Sequence, residues 1–330
     1  MMDARRISIG VIGCANIADR YVIPAINDLK DQYYLAGISS RDETKARLFA
    51  DKFQTKAYLT YDALIESGQL DAVYIPLPNA LHYEWIKKAL DQNLHVLVEK
   101  SLACSYEESL YLNRLAQHRK LVLVENFQFR FHRQLETINQ ILKERLIGEI
   151  RYLRSSFGFP PFSDSTNIRY QSSLGGGALL DAGAYTIRIA QYFLGNDLLV
   201  SAAKLVYDNK RGIDIWGGAF LMQKTGELFA EIGFGFDNYY QCNLEILGNK
   251  GLIVADRIFT APPGYSPKIS VETPEGRVDN IVQPDNHFIN MLKHFYDLII
   301  GKISADNEYE MNVNQARLIE DLRQKANERK

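Results

Sequence analysis

Ile7-Ser8-Ile9-Gly10-Val11-Ile12-Gly13-Cys14-Ala15-Asn16-Ile17-Ala18 is the stretch from which the fold is read. Its first six residues form a short apolar run, the pattern of a buried parallel strand. Gly13 then permits a tight turn, and Ile17 to Asp28 has helical character. Strand, GxGxxA-like turn and helix, in that order, open a dinucleotide-binding βαβ unit. The small Ala18 permits close helix–strand packing, and the helix N-terminus offers backbone N–H groups to a pyrophosphate. Ala15 takes the place of the usual central glycine. Gly13, Ala15, Asn16 and Ile17 are therefore expected cofactor contacts.

Downstream the pattern repeats. Strands are expected at Tyr34 to Ser39, Ala72 to Ile75, Leu94 to Val98 and Leu121 to Glu125. Helical stretches separate them, at Glu43 to Lys52, Leu81 to Gln92 and Tyr106 to Gln117. Such alternation implies an α/β domain with a parallel, doubly wound Rossmann sheet. After a helix near Leu135 to Leu146 the period changes. Leu228, Ala230, Ile232 and Phe234 share one face of a strand, as do Cys242, Leu244 and Ile246. Further strands are expected at Arg151 to Phe159, Leu198 to Tyr207, Leu252 to Asp256, Lys268 to Glu272 and Val278 to Val282. Helices return at Phe288 to Ile300 and Val313 to Ala326. This half reads as α+β, a mostly antiparallel, open-faced sheet with helices on one face. The expected division is 1–125, an NADP-binding Rossmann domain, and 126–330, a substrate-binding and oligomerisation domain.

The balance of 38 Lys and Arg against 40 Asp and Glu gives no reason to expect a nucleic-acid or membrane partner. No apolar run reaches the length of a membrane span. Three cysteines, odd in number and far apart, fit reduced thiols and a cytoplasmic location. The histidines lack metal-ligand spacing, so no metal site is expected.

Two places carry the chemistry. Lys100 ends the apolar strand in Leu97-Val98-Glu99-Lys100-Ser101, and ligands of open α/β sheets bind beyond the carboxyl ends of the strands. Most lysines after strands are solvated, but the second half supplies a partner. Gly175-Gly176-Gly177 precedes a helix carrying Asp181 and Tyr185, four apart and on one helix face. A carboxylate and a phenol there suit proton handling. The alternative is that Asp181 serves the helix terminus and Tyr185 the core. At the end of the second strand, Ser39, Ser40 and Arg41 suit a 2′-phosphate, so NADP is expected rather than NAD. Asp42 is the counter-indication. Pro76 and Pro78 end the third strand. Asn79 is read either as a helix cap or as a ribose contact, and His82 either as a cofactor contact, which its position favours, or as a satisfied helix histidine. Glu99, Lys100, Asn126 and Arg169 are assigned to the cofactor as well, while Arg130 and His132 are expected to border a cleft between the two halves. Phe234, Phe236, Tyr239 and Tyr240 form either a stacking surface for a base or sugar, or sheet core or a dimer face.

Together, the Gly13 turn, the Glu99-Lys100 pair, the glycine-rich Asp181/Tyr185 helix and the antiparallel second half resemble the glucose-fructose oxidoreductase/inositol dehydrogenase/rhizopine catabolism (Gfo/Idh/MocA) family. The nearest in look are NADP-dependent sugar-nucleotide 3-ketoreductases and dimeric dihydrodiol dehydrogenase. The former resemblance extends through Leu244 to Gly248 and Asp256 to Pro263. The family implies acid–base work by Lys100 and Tyr185, with Asp181 orienting or polarising them. It implies hydride transfer between NADP(H) and a keto group of a sugar or nucleotide-linked sugar. Oxidation of a free sugar, polyol or trans-dihydrodiol, and a non-catalytic dinucleotide-sensing regulator, are the rival expectations. Relatives pair subunits through the second sheet, which implies a homodimer or homotetramer. Ser101 stands where the family usually has proline.

Overall fold

The computed structural model describes residues 5–328, and its first strands form one parallel sheet. They are β1 (Ile7–Ile12), β2 (Tyr33–Ser39), β3 (Ala57–Tyr58), β4 (Ala72–Ile75), β5 (His95–Glu99) and β6 (Leu123–Asn126). Their order is β3-β2-β1-β4-β5-β6, and every described pairing is parallel. The connecting helices are α1 (Ile23–Asp28), α2 (Glu43–Phe53), α3 (Tyr61–Ile65), α4 (Asn79–Asp91) and α5 (Tyr106–Arg119). Asp42, Thr60 and Ser105 cap three of them by accepting from Lys45 N, Ala63 N and Glu108 N, each cap being worth about 1 kcal/mol. The order reverses between β1 and β4, and the crevice of such a sheet lies at that point, beyond the strands' carboxyl ends. The sequence pattern missed β3 and α3, which are too short to show a period.

The second sheet has eight strands. They are β7 (Ile150–Gly158), β8 (Leu198–Asp208), β9 (Ile213–Gln223), β10 (Phe229–Gly235), β11 (Gln241–Gly248), β12 (Leu252–Asp256), β13 (Lys268–Thr273) and β14 (Gly276–Ile281). The order is β14-β13-β12-β11-β7-β10-β9-β8. All neighbours are antiparallel except β7 and β10. β9 was not anticipated, because Gly217 and Gly218 interrupt its alternation. Helix α6 (Arg133–Lys143) precedes this sheet, and α7 (Ala184–Leu194) packs against β7 and β10. Phe157, Ala230, Ile232, Phe234, Cys242, Leu244 and Ile246 are buried on the face that α7 covers. On the other face Tyr152, Phe229 and Phe220 stack across three strands, at 4.9 and 4.6 Å between rings.

Two helices follow, α8 (His287–Ile299) and α9 (Asp306–Asn327). The expectation that everything after residue 125 forms one domain does not describe them. The chain divides into two compact units, one running to Asn126 and adding Phe288–Val313, the other holding Phe127–His287 and the chain from Asn314. Side chains explain the return. The Tyr33 hydroxyl donates to Leu292 O at 2.6 Å, Tyr21 stacks on Phe288 at 4.8 Å, and the Tyr309 hydroxyl donates to Leu121 O at 2.6 Å. Further along α9, Gln315 donates to Ala184 O and Arg317 to Leu198 O, both in the second unit. No helix among the described residues is long and apolar enough to cross a membrane.

Candidate active site

In the first unit the expected residues gather at the carboxyl ends of the strands. Gly13 has φ +116, and a Cβ there would stand 2.7 Å from Leu77 Cδ2, so the turn requires glycine. Pro76 is buried beneath it. Asp19 N donates to Ala15 O, which starts the helix at once, and a single π turn at Ala18–Val22 leads into α1. Asn16 is exposed, and Ala15 and Ile17 are partly so.

At the end of β2, Ser39 Oγ donates to Val11 O, and Ser40 Oγ accepts from Asp42 N. Both serines are buried, and these hydroxyls hold the turn. Arg41 is exposed, and its charge opposes the rise that burial gives the Tyr61 pKa. The Asp42 carboxylate accepts from Lys45 N at 3.1 Å, so it is engaged at the start of α2, where a negative charge is favoured.

Asn79 and His82 both support the Lys100 turn. Asn79 is the first residue of α4 and does not cap it; its Oδ1 accepts from Ser101 N at 3.1 Å. Proline at 101 would offer no such donor. The Lys100–Ser101 peptide bond is cis. His82 is fully buried, its ring nitrogens 2.7 Å from Ser101 O and Leu77 O. Burial outweighs these contacts and lowers its pKa to about 4. A neutral imidazole has one N–H and donates to only one of these carbonyls; His82, expected at the cofactor, lies against the Lys100–Ser101 turn.

Lys100 itself is partly exposed, directly after a buried network. The Tyr74 hydroxyl and Asn126 Nδ2 both donate to Glu99 Oε1 at 2.7 Å. Burial raises the Glu99 pKa, against the pull of these donors and of Lys100. Nearby, Glu125 accepts from Leu102 N at 2.8 Å. Asn126 Oδ1 is buried and meets no hydrogen-bond donor among the described residues. Such an orphan carries a desolvation penalty. A carboxamide N–H or ribose hydroxyl at the strand ends would satisfy it. With the Gly13 turn and the exposed Arg41, the residues present fit a dinucleotide.

In the second unit, Tyr185 is only 7% exposed. Its ring lies 5.4 Å from Phe127, 5.8 Å from Phe129, 5.2 Å from Phe157 and 5.5 Å from Phe259. Its hydroxyl meets the Gln128 amide at 3.3 Å. Asp181 lies in a single π turn, Leu179–Gly183, a feature common at functional sites. Its carboxylate accepts from Arg169 Nε at 2.6 Å. That charge raises the Arg169 pKa. Arg169, expected at the cofactor, thus engages Asp181 and lies over the Phe162 ring.

The turn is anchored from β9. Asp214, whose pKa burial raises, accepts from Leu179 N at 2.6 Å. Gly177, at φ +115, leaves the room that its carboxylate occupies. His132 caps α6, accepting from Gln134 N, and its ring lies 5.6 Å from His287. Arg130 lies over Phe131. Of the expected aromatics, Phe234 and Phe236 are core, while Tyr239 and Tyr240 are exposed.

Sequence reading missed Gln128, Arg188 and Asp214. Gln128 had one visible signal, a polar residue inside Phe127-Gln128-Phe129. Arg188 is buried over Phe127 at 4.6 Å. It sits three residues after Tyr185, so the two share a helix face.

A dinucleotide sheet ending in Glu-Lys, in one chain with a unit that buries a tyrosine after a glycine-rich turn, defines a nicotinamide-dependent oxidoreductase. Residues 7–127 match the oxidoreductase family with NAD-binding Rossmann fold, and residues 135–254 match the GFO/IDH/MocA C-terminal domain. The chain belongs to the GFO/IDH/MocA oxidoreductase family. It is 40% identical over 278 residues to a dTDP-3,4-didehydro-2,6-dideoxy-alpha-D-glucose 3-reductase of Saccharopolyspora spinosa, covering 84% of this chain and 82% of that one. It is 36% identical to the enzyme of the same name from Actinomadura kijaniata, covering 97% and 96% of the two chains. A solved 3-ketoreductase of Actinomadura kijaniata, in complex with NADP and TDP-benzene, superposes with TM-score 0.92 at 35% identity, covering 97% and 98%.

Proposed function

We propose that this protein is an NADPH-dependent ketoreductase acting on a nucleotide-linked keto-sugar. The observation that carries the reading is the buried Tyr185, its ring caged by aromatic rings and its hydroxyl in contact with the Gln128 amide. Likeness over nearly the whole chain to reductases of dTDP-linked keto-sugars supports the substrate class. Likeness to a 3-ketoreductase solved with NADP supports the cofactor.

The first unit holds NADP. Gly13, Ala15, Asn16 and Ile17 line the pyrophosphate turn, and Arg41 meets the 2′-phosphate. Asn126 and Glu99 order the nicotinamide end. NADPH held by these residues would supply the hydride for the carbonyl carbon, being oxidised to NADP+. Tyr185 gives its proton to the carbonyl oxygen, yielding a secondary alcohol. Lys100 stabilises the negative charge that develops on that oxygen. Asp181, paired with Arg169, orients the turn that carries Tyr185.

The exposed face of the second sheet pairs subunits. Its support is the partly exposed Tyr152–Phe229–Phe220 stack, with Trp216 44% and Met222 38% exposed beside it. Large apolar patches on a sheet normally mark an interface. Light scattering giving a monomer at micromolar concentration would count against this.

A substrate panel tests the main reading. NADPH oxidation is measured with dTDP-linked keto-sugars, and NADP reduction with free sugars, polyols and dihydrodiols. Turnover is expected with the former. Efficient turnover confined to the free alcohols would replace the reading by a dehydrogenase of unlinked substrates.

A further inference from the structure

One cationic group on the Tyr185 side of the second sheet has no part in the chemistry above. Arg257 follows β12 at φ +52 and is exposed. Its guanidinium lies over two tyrosine rings, 5.6 Å from Tyr240 and 5.5 Å from Tyr265. Among the described residues no carboxylate pairs with it and no acceptor takes its hydrogen bonds. Tyr265 rides on a Pro262-Pro263-Gly264 turn, closed by its N–H donating to Pro262 O at 3.1 Å. The chain's own backbone bond thus fixes the Tyr265 side of the cluster.

Its position follows from side-chain contacts inside the second unit. Tyr185 packs on Phe259, two residues beyond Arg257, and on Phe157. Phe157 is in register with Cys242. Cys242 Sγ lies 3.4 Å from Thr260 Oγ1, and the Tyr240 hydroxyl lies 3.1 Å from the same oxygen. Tyr240 precedes β11 and Cys242 is its second residue, and the shared Thr260 hydroxyl ties the two side chains together. A continuous wall thus runs from the Tyr185 ring to Arg257. Arg257 lies in the bend that ends β12, and Ile258 to Thr260 form the turn that brings Phe259 back onto the Tyr185 ring.

We infer that Arg257, held between Tyr240 and Tyr265, is the subsite for the diphosphate of the nucleotide-linked sugar. The inference rests on the ketoreductase reading above and adds the group that recognises the nucleotide half of the substrate, which stays attached throughout the reaction. A guanidinium presents a planar fork of donors that matches phosphate oxygens. The flanking rings limit its rotamers by cation–π contact, so less freedom is lost when phosphate binds.

The experiment uses the full chain and thymidine diphosphate as probe. Calorimetry measures its affinity for the wild type, Arg257→Gln and Arg257→Lys. Loss of a charge-assisted hydrogen-bond pair predicts about 10- to 100-fold weaker binding for the glutamine variant, with a smaller loss for lysine. The KM for a dTDP-linked keto-sugar should rise by the same factor. The kcat and the affinity for NADPH should stay within about threefold, since neither depends on a phosphate grip shared by ground and transition states. Circular dichroism on the same samples verifies the fold. Thymidine diphosphate binding by Arg257→Gln within twofold of wild type overturns the subsite and leaves the ketoreductase reading intact. A wild type that binds no thymidine diphosphate, and turns over only free sugars, overturns both.

Discussion

The side-chain amide of Gln128 lies 3.3 Å from the hydroxyl of Tyr185, and both residues are buried. An amide can accept the phenolic proton or donate to the phenolate left after proton transfer. Gln128→Met keeps the volume and removes both possibilities. A net hydrogen bond of about 1 kcal/mol predicts a fall in kcat of roughly five- to tenfold, with NADPH affinity unchanged. Gln128→Glu supplies only acceptors and should be slower still if donation to the phenolate matters. Unchanged turnover in both variants would remove Gln128 from the proton path.

Lys100 follows the buried Glu99–Tyr74–Asn126 network. Lys100→Met should lower kcat by about 10²- to 10⁴-fold, the range for a positioned proton-handling or electrostatic group. Fluorescence titration should still show tight NADPH. Near-normal turnover would leave the lysine without a chemical role.

Cofactor choice is tested at Arg41. Asp42 is engaged at the N-terminus of α2, so Arg41 is the charge available to a 2′-phosphate. Arg41→Ala should raise the KM for NADPH about 10- to 100-fold and leave that for NADH nearly unchanged. Equal effects on both cofactors would show that Arg41 does not read the phosphate.

Asp214 anchors the Asp181 turn by accepting from Leu179 N. Asp214→Ala leaves that N–H without its acceptor and should cost about 1–2 kcal/mol, read as a lower urea midpoint at constant slope. Asp214→Asn keeps an acceptor and should recover most of the loss. Matching midpoints for alanine and wild type would mean that the turn does not depend on this bond.

The pH dependence of stability has a defined sign. Burial lowers the His82 pKa from 6.5 to about 4, so between these values the unfolded chain binds a proton that the folded chain does not. Its contribution to stability is therefore present above pH 6.5 and lost as pH falls through about 4. The shift corresponds to about 3 kcal/mol at most. His82→Gln cannot titrate, and its denaturation midpoint should fall less than the wild type's between pH 7 and 5. Parallel curves would contradict a neutral His82.

The first strands and the alternation of Ala230, Ile232 and Phe234 were legible in sequence because burial on both faces, or on one, writes a local period. Gly13, Lys100, Asp181 and Tyr185 were legible because each stands at a fixed offset from such an element. β3, α3 and β9 were not, being too short or interrupted by glycines. Tertiary structure alone decided what each polar group faces. Asn79 and His82 read as helix-cap or cofactor residues, yet Ser101 N and O claim them. Asp214 and Gln128 reach the Tyr185 turn from 35 and 57 residues away. The return of Phe288–Val313 to the first unit depends on Tyr33 meeting Leu292 across 259 residues. Local periodicity reports which side of an element loses water. Directional hydrogen bonds between distant elements leave no period, because their partners come near only once the chain has folded.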